Sequence, residues 1–161
     1  MFSDIQSLRS AALAKAQSFI GTTDTLVSLG WGVSGFVFLS PDAMTAVKVH
    51  HFEAGHAAEV KAYQWLRQQR ITQILGVTVP KLRAVDSDRM LIQMDVVCPP
   101  FLLDFAGVKF TDPGFPPDTI AENSRMIEER FGPNAPLAFA IQAELRKLGM
   151  FYLDMRPDNL N

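Results

Sequence analysis

The run Gly30-Trp31-Gly32-Val33-Ser34-Gly35-Phe36-Val37 is the first stretch of this chain with a chemical meaning. Glycines at this spacing let backbone approach a polyphosphate with no side chain in the way. A dinucleotide-binding fold would start a helix straight after the third glycine. Here Gly35 is followed by Phe-Val-Phe-Leu-Ser-Pro-Asp, which reads as a strand and a turn. Thirteen residues beyond Gly35, Lys48 stands between Val47 and Val49 on an otherwise apolar strand. Such a lysine either snorkels at a strand end or serves as a fixed cation for phosphate oxygens. The second role needs an anionic partner. The following helix offers Glu59, with Glu53 a poorer candidate near the helix start.

Other reactive residue types carry less. Adjacent residues on a strand point to opposite faces, so His50 and His51 cannot easily share one ion with His56. No cysteine and no H-E-x-x-H pattern supports a zinc site. Ser34 has no recognisable base beside it. Cys98 is expected to be a buried small hydrophobe, and Trp65 is expected in the core. Trp31, at the tip of the glycine run, is either a cover over phosphates or a packing residue.

The elements that must position these residues follow from periodicity. Residues 3–20 read as an amphipathic helix. Ser3 and Gln6 suit a capping box, Ile5, Leu8, Ala12, Ala16, Phe19 and Ile20 form the apolar stripe, and Gly21 suits the stop. A stripe of this kind docks on the body of its own protein. Strands are predicted at Thr25–Leu29, Phe36–Leu39 and Thr45–His50, then a helix from Ala54 to Gln69, then strands at Leu82–Val85 and Met90–Val97 around an Asp86-Ser87-Asp88 turn. Residues 99–117, rich in proline, read as an ordered connector because Phe101, Leu102, Leu103, Phe105 and Phe110 need burial. Helices at 118–131 and 136–149 complete the chain, separated by Gly132-Pro133. The expected class is α+β: a first helix over 1–20, a small antiparallel five-stranded lobe with one inserted helix over 21–97, then a hinge and the start of a helical lobe over 98–161.

Composition narrows the function. The chain has 161 residues, 48% of them apolar and 20% charged, at a mean hydropathy of +0.09, which is globular and excludes a disordered tail. Its formal net charge of −2 argues against a dedicated nucleic-acid binder. No stretch of about 18 apolar residues occurs, so no membrane-spanning helix is expected. The single cysteine cannot form an intramolecular disulfide. The expected location is cytoplasmic.

The run Tyr152-Leu153-Asp154-Met155-Arg156-Pro157-Asp158-Asn159 brings the motifs together. The chain resembles the protein-kinase-like superfamily, whose catalytic loop H-R-D-L-K-P-x-N is matched at Asp154, Pro157 and Asn159, with Arg156 in place of the lysine. Glycine loop, strand lysine, helix glutamate, hinge and catalytic loop occur in the family's order across roughly residues 25–161. The strand–glycine loop–strand arrangement is also the family's. The resemblance implies ATP and Mg2+ as cofactors. It implies that Gly30, Trp31, Gly32, Val33, Ser34 and Gly35 form the loop over the phosphates, with Lys48 holding the α- and β-phosphates and pairing with Glu59. Val37 and Ala46 would sandwich the adenine, Met94 would be the gatekeeper, and Asp95 and Val97 would offer hinge backbone groups. Asp154 would accept the proton of the acceptor hydroxyl, Asn159 would hold a magnesium ion, and Arg156 would reach the transferring phosphoryl group.

The departures are specific. Tyr152 stands where the family usually has histidine, and the intervals from Gly35 to Lys48 and from Lys48 to Glu59 are short for protein kinases. No Asp-Phe-Gly follows Asn159; Asp104-Phe105-Ala106 precedes the loop instead. Two expectations result: a piece of a longer kinase-like phosphotransferase acting on a hydroxyl acceptor, or a pseudokinase that keeps the fold as an interaction module. With the helical lobe incomplete, Leu137, Phe139, Ile141 and Leu145 are expected to lack cover, which a second copy or a partner chain would provide.

Overall fold

The computed structural model describes residues 2–98, 100 and 105–152. The chain is α+β. Helix α1 (Phe2–Ile20) is followed by strands β1 (Val27–Trp31), β2 (Gly35–Leu39) and β3 (Thr45–His50), then helix α2 (Glu53–Gln68). A two-residue hairpin, β4 (Gln73–Ile74) and β5 (Val77–Thr78), precedes β6 (Leu82–Asp86) and β7 (Leu91–Asp95). Helices α3 (Pro117–Phe131) and α4 (Ala135–Lys147) form the second half. The main sheet is antiparallel throughout, in the order β1-β2-β3-β7-β6.

Central strand β3 explains why Lys48 reads as out of place. Five of its six residues are buried, because both faces of the sheet are covered. With a period of two, Val47 and Val49 point to one face, where they pack with Phe36, Phe38, Leu26 and Leu91 beneath Ala12 and Ala16 of α1. The apolar stripe of α1 thus docks on the sheet, and Gly21, at φ +76°, ends the helix as expected. Leu8 departs from that expectation: it is 55% exposed, on the part of the helix away from this cluster. The other face of β3 carries Ala46, Lys48 and His50 towards α2. There the larger core gathers Tyr63 and Leu66 with Ile92, Met94, Phe105, Ile127, Ile141, Leu145 and Tyr152.

Three sequence expectations need correction. Ile141 and Leu145 are fully buried inside the chain, in one core with Phe105 and Val108 of the connector, Ile127 of α3 and Tyr63 and Leu66 of α2. Leu137 and Phe139 are partly buried and packed against the same core. Cys98 is exposed, since the chain leaves the sheet after Asp95. Trp65 is 37% exposed and lies at a junction rather than in the core: its indole N–H donates to the carbonyl of Leu148, one of the carbonyls a helix end leaves unpaired, at 2.9 Å.

The glycine run forms the β1–β2 hairpin, strand to strand, with a bulge between Ser28 and Gly30. At its far side Gly35 faces Val49, and a Cβ there would lie 2.1 Å from the Val49 carbonyl oxygen. Gly35 is therefore demanded by close approach to β3. A Cβ at Gly30 would meet nothing within 4 Å. Gly35→Ala should destabilise the fold by about 1–3 kcal/mol, the usual range for overpacking, whereas Gly30→Ala should change stability by less than about 0.5 kcal/mol. Chemical denaturation of the two variants checks this; equal losses would contradict the assignment.

Candidate functional site

Alternation along β3 places Lys48 and His50 on one face, two residues apart, and α2 crosses that face. The helix turns His56, Glu59, Ala62, Tyr63 and Leu66 inward, a spacing of three to four residues. This brings Glu59 over Lys48. The Lys48 ammonium donates to Glu59 Oε2 at 2.7 Å, with the lysine 4% and the glutamate 0% exposed. His50 Nε2 lies 2.7 Å from the same oxygen. A carboxylate only accepts, so the imidazole N–H is the donor. Glu59 Oε1 is buried and has no hydrogen-bond partner among the described residues.

The surroundings of this cluster are fixed. The backbone N–H of His50 donates to the carbonyl of Met90 at 2.9 Å, and His50 Nδ1 lies 3.3 Å from that carbonyl. The His56 ring meets His50 edge to face at 5.2 Å. Burial pushes the His56 imidazole below its ordinary value of 6.5, and the nearby His50 adds to that depression. Taking a lysine and a glutamate out of water costs several kcal/mol per ion, recovered only with good geometry and complete hydrogen bonding. Among the described residues one carboxylate oxygen holds two donors and the other none. Buried polar groups left short of partners are uncommon and concentrate where a structure has a task beyond stability.

The other expected residues fall around this pair. Val37 lies directly opposite Lys48 in the β2–β3 register, and Ala46 opposite Met94 in β3–β7. Met94 is buried, with the Tyr63 hydroxyl 3.8 Å from its sulfur. The hairpin tip is anchored to the end of β3: the Gly32 N–H donates to the Gly35 carbonyl, and the His51 N–H to the Ser34 carbonyl at 3.1 Å. Trp31 and Val33 project from it, 64% and 83% exposed. The Asp95 N–H donates to the Lys81 carbonyl at 3.0 Å, and its carboxylate pairs with Arg83. Val97 is half-buried. Glu53, the alternative partner for Lys48, is exposed.

Asp154, Arg156 and Asn159 lie outside the described residues. The approach to their segment is described. Tyr152 is buried, its ring 5.3 Å from Phe105, and Phe105 in turn meets Tyr63 edge to face at 5.2 Å. Tyr63 is one turn beyond Glu59 on α2. An aromatic column therefore joins the helix that carries Glu59 to the residue just before the Asp154 segment. Gln142 of α4 fixes the same point by donating to the Tyr152 carbonyl at 3.0 Å. Among the described residues no three of His, Cys, Asp and Glu come together as metal ligands, and no helix is long and apolar enough to cross a membrane.

His50 was missed as a site residue. The signal in the sequence is that position 50 shares a strand face with position 48. His51 faces the other way, edge-on to Phe36 at 5.0 Å.

No family model matches the chain, and no curated protein matches it. Among solved structures, the streptomycin–ATP–APH(2")-IIa ternary complex is similar at 14% identity and a TM-score of 0.42. The match covers 53% of this chain and 28% of that one, so this chain spans less than a third of that structure's length.

Glu59→Ala removes the acceptor that Lys48 and His50 share and should cost about 3–5 kcal/mol of stability, the range for breaking a buried ion pair. Arg83→Ala removes an exposed pair and should cost about 1 kcal/mol or less. Urea titration of both variants checks the contrast, which similar losses would contradict.

Proposed function

We propose that this chain is the nucleotide-binding portion of a kinase-like phosphotransferase, and that its ligand is ATP. The observation that carries the reading is the buried ion pair between Lys48 and Glu59, 2.7 Å long, on the face of a five-stranded antiparallel sheet beside a glycine hairpin. A lysine in the middle of a sheet, held by a helix glutamate, is an oriented cation that a hydrophobic core does not need. Its donor chemistry fits phosphate oxygens. Val37 and Ala46 on the same sheet supply the small apolar surfaces an adenine ring requires, and Met94 closes the inner end.

In this reading ATP, when bound, supplies the phosphoryl group. Lys48 holds the α- and β-phosphates, and the backbone of residues 30–35 covers them. Asp154 accepts the proton of an acceptor hydroxyl as the new oxygen–phosphorus bond forms and the bond to the leaving ADP breaks. Asn159 would hold a magnesium ion, which would neutralise phosphate charge, and Arg156 would neutralise charge on the transferring group. Such a reaction needs positioning and charge neutralisation more than covalent chemistry from the protein.

Calorimetric titration of ATP, with and without magnesium, tests the proposal. Saturable binding is expected, weakened at least about tenfold by Lys48→Ala, which is about 1.4 kcal/mol. Asp154→Ala should leave the affinity nearly intact. Equal affinity in wild type and Lys48→Ala would remove the assigned role.

A further inference from the structure

We infer that His50 is a positioning residue: its Nε2–H holds the Glu59 carboxylate in the orientation that receives Lys48, so the placement of the ammonium depends on a donor at residue 50. The inference rests on the nucleotide reading for what Lys48 is placed to do, but the positioning itself stands on geometry. Both hydrogen bonds that Glu59 accepts fall on Oε2, from Lys48 and from His50, each at 2.7 Å. Oε1 has no partner among the described residues. Without His50, one contact from a flexible four-carbon stem would hold the carboxylate, which would be free to rotate about it.

The two donors differ in stiffness. A lysine side chain carries about 2 kcal/mol of rotamer entropy and adapts to its partner. His50 has two side-chain torsions and is fixed on several sides. Its backbone N–H is bonded to the Met90 carbonyl, which also faces Nδ1, and the His56 ring packs against it. His56 Nε2 in turn lies 3.3 Å from the Leu91 carbonyl. The charged and titratable groups around His50 are thus Lys48 on its own strand and Glu59 and His56 on α2. Stiffness passes from the sheet through His50 to Glu59, and from Glu59 to Lys48. Orientation of a ligating group through a second hydrogen-bonded partner follows the logic of metal-site histidines held by carboxylates, with the roles of histidine and carboxylate exchanged.

The test uses the whole chain and two independent readings. The first is the side-chain ammonium resonance of Lys48 by nitrogen-15 NMR without nucleotide; the other five lysines are exposed and provide the reference. The second is ATP affinity. In His50→Gln the amide nitrogen takes the Nε2 place, and the Lys48 resonance should stay apart from the others with affinity within about twofold of wild type. In His50→Leu the donor is lost at similar volume. The resonance should move towards those of the exposed lysines, and ATP binding should weaken at least fivefold. In a Glu59→Gln background the difference between the two variants should vanish, as coupled positions require. Should His50→Leu not fold, His50→Asn, whose amide falls short of the Nε2 place, substitutes for it. A Lys48 resonance indifferent to residue 50, or one lost equally in the Gln and donor-less variants, would overturn the inference. A resonance that follows residue 50 in a protein that does not bind ATP would support the positioning and sink the nucleotide reading. ATP binding with an indifferent resonance would do the reverse.

Discussion

A carboxylate with no exposure to water has to be given partners, and the architecture around Glu59 is organised to provide them. Lys48 and His50 come from one face of the central strand, and Glu59 from the inward face of α2. Both donors satisfy the carboxylate, because an ion buried without partners is strongly destabilising. The cluster therefore ties strand and helix together at a defined height and rotation. An apolar contact would tie them less specifically. The second oxygen, Oε1, is buried with no partner among the described residues.

Holding a charge cluster rigid requires that the strand beneath it be immobile. Helix α1 meets that need by covering the opposite face of the sheet with Ala12 and Ala16, small residues that let the helix lie close over Phe36, Phe38, Val47 and Val49. On the near side the column Tyr63–Phe105–Tyr152 carries the position of α2 through the core to the start of the Asp154 segment. The Trp65 indole makes a second link, to the end of α4. Displacing α2 would disturb Glu59 and the aromatic column together.

Much of this was legible in the sequence wherever local rules decide. Thr45–His50 reads as a strand from its β-branched residues and is one, and Glu53–Gln68 follows its helical period to within a residue of the expected bounds. Lys48 was identifiable as a charge between valines on an apolar strand, and Glu59 as the anionic partner that the following helix offers. Where partners come from distant parts of the chain, the sequence was silent or misleading. Ile141 and Leu145 are covered by connector and helix residues that no local pattern points to. Trp65 follows the apolar stripe yet sits at a junction. The β4–β5 hairpin turns through Leu75 at φ +51°, a conformation a leucine does not announce. Gly35 belongs to a phosphate-loop pattern, yet the structure gives it a reason of its own in the carbonyl of Val49.

The claim on which the account turns is that Lys48 lies against the phosphates of a bound nucleotide. An acyl-phosphate derivative of ATP, which transfers its acyl group to a nearby lysine amine as the nucleotide departs, reads this directly when followed by mass-spectrometric mapping. Acylation is expected at Lys48, suppressed by excess ATP, even though Lys48 is 4% exposed and Lys15, Lys61, Lys81, Lys109 and Lys147 are exposed. Acylation spread over the exposed lysines, with Lys48 spared and ATP without effect, would contradict it.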